Sequence, residues 1–412
     1  MNQGLIFKYF ELPNLRLEFL ARVFLIASFF SLPISTAATN VFMGLTLITW
    51  TLAGGYKTRV NQLSGNWFSY GVVLLFAVIC VGGTYSSGST NEIFFQIHKY
   101  AKILFILPAI TLLQNEKWQR YALIAFSGAM LLTLTLSLIT VVWPLPFIQS
   151  TANGPTTNHF VFKDHIAQNL MMSFFALLLA VSALFAKDLT KKFVLFSLAI
   201  LAAVDILFFV AGRTGFISLA LNALVLIFFL SGTKQKISGL LVFFIVAALA
   251  LQYSDNFRGR VELAVTEFRS QDRKELTSVG QRVEFFKKSV ELVKERPVFG
   301  FGTGSYAREF CRIADSTEWC EAGRFHPHNQ FIAFLVQLGV IGFIAYLIFI
   351  AAAIKSALYQ SRPIQICGLG LVATLIADSM THAPLFLVTE AQFFILGFSA
   401  LLVTHGFQTL KE

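Results

Sequence analysis

Charge is scarce in this sequence. Only 13% of its residues are Asp, Glu, Lys or Arg, against roughly 25% in an average soluble domain. The motifs by which many enzymes hold nucleotides or metals are missing too. No GxxxxGK run, no HExxH and no DxD occurs, which removes the phosphate loop, the zinc-peptidase helix and the metal-held nucleotide sugar. There are four cysteines and no CxxC pair, so zinc is a weak reading even with His326 and His328 near Cys311 and Cys320. No internal repeat or low-complexity tract is present. The net charge of +10 comes without a basic stripe of interleaved aromatics, which sets nucleic acid aside as a partner.

What the sequence has in abundance is long apolar runs. It is 56% hydrophobic with a mean hydropathy of +0.69, and Phe alone occurs 45 times. Runs of about twenty residues, each able to cross roughly 30 Å of hydrocarbon, predict helices at roughly 17–34, 37–54, 67–83, 99–114, 119–143, 166–186, 192–211, 214–231, 236–253, 329–354, 363–382 and 388–408. The expected fold is all-α, a polytopic membrane protein of about twelve transmembrane helices. The 99–114 run is short enough to be partly re-entrant. The first run has Lys8 and Arg16 ahead of it and small residues behind, as a signal peptide would; its length and the span that follows at once favour retention.

Three segments result: residues 1–253 with nine spans, 254–328 as one large loop domain, and 329–412 with three spans. Orientation follows from Lys and Arg. With the N-terminus inside, the cytoplasmic segments collect fourteen of them, from Lys8 through Lys57, Arg59, Lys234 and Lys355 to Lys411. The short periplasmic segments hold Lys99, Lys102, Lys163 and Arg213. The long loop carries thirteen basic and twelve acidic residues, so the surplus charge lies in cytoplasmic loops, facing anionic membrane lipids. A periplasmic loop is oxidising, which favours a Cys311–Cys320 disulfide, while Cys80 and Cys367 lie in apolar spans as packing residues.

Within the loop, GQRVEFFKKSVELVKER predicts an amphipathic helix with Val283, Phe286, Val290 and Val293 on its apolar face. Such a helix can lie on the membrane or pack on the rest of the loop. Pro297 ends it, and PVFGFGTGSY follows; this glycine-rich stretch reads as a flexible turn, with a phosphate cradle as the alternative.

With no nucleotide or metal site, an enzyme here needs a substrate that is already activated, such as a lipid diphosphate. Charges at the membrane edge are expensive and tend to be functional. Arg213 sits in AGRTG between two apolar helices, either binding an anion or snorkelling to water. Arg282 opens the amphipathic helix, where a cation opposes the dipole unless something negative is near. Lys99 and Lys102, one turn apart at a periplasmic helix start, either welcome an anion or face solvent. An arginine fork suits phosphate oxygens. His328, beside Asn329 at the mouth of a long apolar helix, is placed to take a proton from a sugar hydroxyl, or else caps the helix. His326, held off by Pro327, is a weaker copy of it.

The stretch His328-Asn329, nine residues, Gly339, two residues, Gly342 resembles the H-[NSQ]-x9-G-x-x-[GTY] pattern of the O-antigen ligase family. AGRTGFISL is similar to that family's arginine at a helix start, and GQRVEFFKKSVELVKERPVFGFGTGSY to its arginine-bearing helix with following Pro and Gly. The resemblance implies a metal-independent, inverting glycosyltransferase of the inner membrane, without cofactor. Its donor would be undecaprenyl-diphosphate-linked O-antigen and its acceptor the lipid A–core oligosaccharide. Arg213 and Arg282 would bind the diphosphate and His328 would activate the acceptor hydroxyl. Asp378, in LIADSMTHAP, resembles an acidic position of the family by a looser match, and with Lys99, Lys102, His326 and Asn329, read from their positions above, it would line the substrate site. O-antigen polymerases share the superfamily and stay as an alternative. So does a transporter, whose main support is Asp205 within a span.

Overall fold

The structure, a computed structural model, describes residues 12–143, 145, 158–259, 261–262 and 278–403. Lys8, Lys411 and residues 404–408 of the last expected span lie outside the described residues, as do the loop residues 263–277.

Among the described residues every regular element is helical. In chain order they are α1 (Leu15–Ser31), α2 (Thr36–Ala53), α3 (Tyr56–Ser64), α4 (Trp67–Thr84), α5 (Thr90–Ala101), α6 (Ile106–Leu112), α7 (Glu116–Val142), α8 (His165–Phe185), α9 (Leu189–Val204), α10 (Arg213–Phe228), α11 (Thr233–Tyr253), α12 (Ser278–Glu295), α13 (Tyr306–Ile313), α14 (Thr317–Gly323), α15 (Gln330–Leu358), α16 (Arg362–Thr381) and α17 (Val388–Leu401). Nine helices among the described residues are long and apolar enough to cross a membrane, and α10 and α17 are shorter apolar helices. The chain is an all-α polytopic membrane protein.

Burial sorts the spans. The apolar window of α8 is 83% buried and that of α11 only 6%, so α8 is the bundle's centre and α11 faces outward. Helix α8 packs on α9, α10 and α16; α15 packs on α4 and α16. Interlocked rings, among them Phe68 against Phe349 and Phe398, pack α4, α15 and α17 together.

Two local readings change. The 99–114 run is not a short helix. The helix starts at Thr90, where Ser89 and Glu92 form a capping box, and continues through a 3-10 turn at Lys102–Phe105 to Leu112. Polar residues Asn91, Glu92, Gln96 and His98 had interrupted the apolar run, but two reciprocal cap bonds satisfy the helix start regardless. Lys99 and Lys102 therefore lie inside this helix, not at its beginning. The stretch after α2 is also helical: in α3 the buried Arg59 donates to Trp50 O at 2.6 Å and stacks over the Trp50 ring at 4.4 Å.

Candidate active site

The site is built around a break in α15. At Gly339 the backbone takes φ 63° and ψ −158°, a region open essentially to glycine alone. Two helical bonds are lost there, and residues 297–302 replace them with four. Pro297 O accepts from Val340 N at 2.8 Å and Val298 O from Ile341 N at 3.4 Å, while Phe301 N and Gly302 N donate to Val336 O and Gln337 O at 3.0 and 2.7 Å. Thr303 N and Gly304 N then bond Gly82 O and Gln337 Oε1. Irregular backbone at this depth is tolerated because protein groups satisfy it. PVFGFGTGSY is thus neither a flexible turn nor a phosphate cradle, since Gly300 through Ser305 are buried and the amides of residues 300–305 are spent on protein carbonyls.

This insertion fixes α12 against the top of α15. The face of α12 that packs inward carries Phe285, Ser289 and Leu292, all fully buried, whereas Phe286 is exposed. The expected apolar stripe was one residue off at its aromatic position. Arg282 precedes Phe285 by three residues and lies on the inward face. It sits in the second turn of a helix that begins at Ser278, not at its opening.

His328 lies where α12 meets α15. Its φ of 51° is the one positive value on a non-glycine residue among those described, a strained geometry of the kind that gathers at functional sites. The Phe285 ring stacks on the His328 ring at 5.9 Å, with 17° between the planes. His326 and His382 present their rings at 4.3 and 6.0 Å. His328 N donates to His326 Nδ1 at 3.2 Å, while the buried His328 Nδ1 has no partner. Burial, then the positive charges that His326, His382 and Arg282 can carry, push the His328 pKa below its ordinary value, so the ring is neutral at pH 7. His326 is lowered as well, by burial and then by His382.

His382 is the residue the sequence reading missed. It follows Asp378 by four positions at the end of α16, and its Nδ1 lies 3.0 Å from Asp378 Oδ1. Asp378 is fully buried and His382 nearly so. With Nδ1 donating to the carboxylate, His382 Nε2 is the ring's acceptor. The i,i+4 spacing of Asp and His was a readable signal.

The remaining candidates divide. The hydroxyl of Thr214 lies 3.5 Å from that of Thr381, which sets Arg213 beside the end of α16 that carries Asp378 and His382. No side chain caps α10 at Gly212. Asn329 acts structurally: its Oδ1 caps α15 through Ile332 N at 3.0 Å, and its Nδ2 donates to Met380 O at 3.2 Å. Lys99 Nζ lies 5.3 Å from the Phe386 ring, which in turn touches His326 at 5.8 Å. Lys102 lies in the 3-10 turn at the mid-length of that helix.

Two buried ionisable residues also went unsingled: Lys163, which donates to Thr36 Oγ1, and Glu390, in the first turn of α17. A lone Glu in an apolar span was the available signal. Asp205 has a partner, because Ser137 Oγ donates to its Oδ1 at 2.5 Å. Cys311 and Cys320 are bonded to one another, which removes the thiolates a zinc site would use.

No curated protein matches the chain. Residues 198–347 match the family model described as O-antigen ligase, a stretch that contains Arg213, α12, the inserted loop, His328 and the break at Gly339. Ligase- and polymerase-type glycosyltransferases of O-antigen synthesis belong to that superfamily, and residues 198–347 of this membrane protein are similar to its O-antigen ligase model.

Proposed function

We propose that the protein ligates O-antigen from an undecaprenyl diphosphate carrier onto the lipid A–core oligosaccharide, at the periplasmic face of the inner membrane. One observation carries this reading: a neutral, half-buried His328 held beside Arg282 and an Asp378–His382 pair, all at one end of the helix bundle. A base for a hydroxyl, a cation for a leaving diphosphate and an oriented second imidazole are the groups glycosyl transfer needs.

In the reaction, the acceptor hydroxyl attacks the anomeric carbon of the donor glycan as the carbon–oxygen bond to the diphosphate breaks, with inversion. His328 takes the hydroxyl proton. Arg282 and Arg213 bind the diphosphate and stabilise the charge that grows on it, and the uncapped start of α10 adds its positive dipole end. His382, fixed by Asp378, orients the imidazole of His328 and the incoming hydroxyl. Lys99 lies at the edge of the site through Phe386, Lys102 deeper along the same helix, and His326 fixes the backbone of His328 through its Nδ1.

Deleting the gene tests the reading. A ligase mutant accumulates carrier-linked polymer and leaves bare core; attachment of single repeat units would point to a polymerase. Cysteine labelling near Lys234 should report the cytoplasm and near Ser270 the periplasm, and the reverse pattern would overturn the site assignment.

A further inference from the structure

A cavity of about 450 Å³ opens between α5, α13 and the turn after α14, within the roughly 300–1,000 Å³ of small-ligand sites. We propose that it is a subsite for an anionic sugar of the acceptor glycan. The proposal rests on the ligase reading and extends it to residues with no role there.

Position comes first. Phe386 forms part of the cavity wall, and its ring lies 5.8 Å from that of His326, which is 4.3 Å from His328. A glycan whose last sugar meets His328 therefore has its preceding sugar within reach of the cavity. Helix α13 turns Phe310 towards Phe285 of α12, with ring centroids 5.4 Å apart, and lends Ala307, Arg308 and Cys311 to the cavity. The cavity is thus separate from the face of α12 that carries Arg282, where the donor diphosphate is proposed to bind.

Chemistry comes second. Three aromatic rings, Phe95, Phe325 and Phe386, offer flat apolar faces for the C–H side of a sugar. Two arginines add positive charge. Arg308 donates to Ser87 O at 2.6 Å and Arg324 to Glu321 Oε1 at 3.0 Å; a guanidinium has five N–H donors, so each keeps capacity for a ligand. The one carboxylate in the wall, Glu92, is engaged at its own helix start, where Oε2 accepts from Ser89 N and Ser89 Oγ, both at 2.7 Å. The Cys311–Cys320 bond ties α13 to α14, and so holds Arg308 and Arg324 in register across the opening. A planar fork on each side of a ring-lined cavity fits a sugar bearing phosphate or carboxylate.

The test is calorimetric titration of core oligosaccharide, freed of acyl chains, onto the purified full chain in detergent without donor. Arg308→Ala/Arg324→Ala and the cavity-filling Ala307→Trp should each weaken binding at least tenfold, with melting curves showing both variants folded. Should Ala307→Trp fail to fold, the arginine pair decides alone. Phosphatase treatment of the probe identifies the anion: a matching loss assigns phosphate, and retained affinity beside the arginine loss assigns carboxylate. Unchanged affinity in the folded variants overturns the proposal, as does absence of binding by the wild type. A chain that binds the probe through these arginines yet ligates nothing in cells keeps the subsite and removes the ligase reading instead.

Discussion

Replacing Gly339 by alanine should cost both stability and activity, although the residue touches no substrate. Its backbone conformation costs a non-glycine residue on the order of 1–3 kcal/mol. A Cβ there would stand 2.2 Å from Val298 O and 2.7 Å from Phe299 N, so the inserted loop must retreat by about 1 Å to reach ordinary contact. That retreat stretches the bonds linking residues 297–302 to α15, three of which are 2.7–3.0 Å long. Losing two of them costs about 2 kcal/mol at a net ~1 kcal/mol each. The sum is roughly 3–5 kcal/mol. Because the same loop holds α12, the shift also moves Arg282 and Phe285 away from His328. Thermal melting in detergent, with O-antigen transfer measured well below the transition, reads both effects. Gly128→Ala on α7 is the control, since nothing lies within 4 Å of its Cβ position and it should be neutral or stabilising by about 0.4–1 kcal/mol. A Gly339→Ala protein that melts and transfers as the wild type does would refute the inserted-loop account.

Three further outcomes test the site. Arg213→Ala and Arg282→Ala should each slow transfer by about 2–4 kcal/mol if each stabilises the leaving diphosphate, with Lys restoring only part and EDTA having no effect; full activity in both alanine variants would leave the diphosphate unbound by either. His328→Ala should fold, bind the carrier lipid and fail to transfer, whereas His326→Ala should keep substantial transfer. A folded, active His328→Ala would remove the base assignment. His382→Gln should lower kcat by about 10–100-fold while leaving donor affinity intact, and Asp378→Asn should resemble it; a loss of donor binding instead would make the pair part of the binding site.

The spans were legible because a membrane asks little of a sequence beyond length and apolarity, and α7, α8 and α11 fall close to their expected bounds. Legibility failed where polar contacts decide. Thr90–Ala101 has too many polar residues for a hydropathy reading, and only its capping box shows where it starts. Helix α12 carries two apolar stripes, and the one that turns inward depends on a loop seated in another helix. The motif shows a glycine at 339, but not that the backbone of Val298 and Phe299 packs against it. His328 and Asp378 were visible through motif resemblance, but His382 needed the geometry of the α16 end to become a candidate.

The lowered pKa of His328 sets a problem for a base and implies its own solution. A ring whose proton affinity is reduced by burial and by the positive charges that His326, His382 and Arg282 can carry stays neutral to below pH 6.5, yet it draws a proton from a sugar hydroxyl only weakly. The donor changes this balance. A diphosphate seated on Arg282 brings negative charge near His328, beside one of the groups that add to the effect of burial, so the imidazolium form becomes less costly. At about 5 Å and an effective dielectric near 20, one unit charge is worth roughly 3 kcal/mol, enough to move the midpoint by roughly one to two pH units after partial screening. The sign follows from the neutral form being the active one. Activity is lost as pH falls through the pKa, and donor binding moves that loss to higher pH. The acid limb of kcat, which reports the substrate complex, should therefore lie above the acid limb of kcat/KM for the donor, which reports the free enzyme. The base would then be strongest only when a donor is present to be attacked. Coincident limbs, or a kcat limb at lower pH, would place the diphosphate too far from His328 for Arg282 to couple them, and the two-arginine site would have to be redrawn around Arg213 alone.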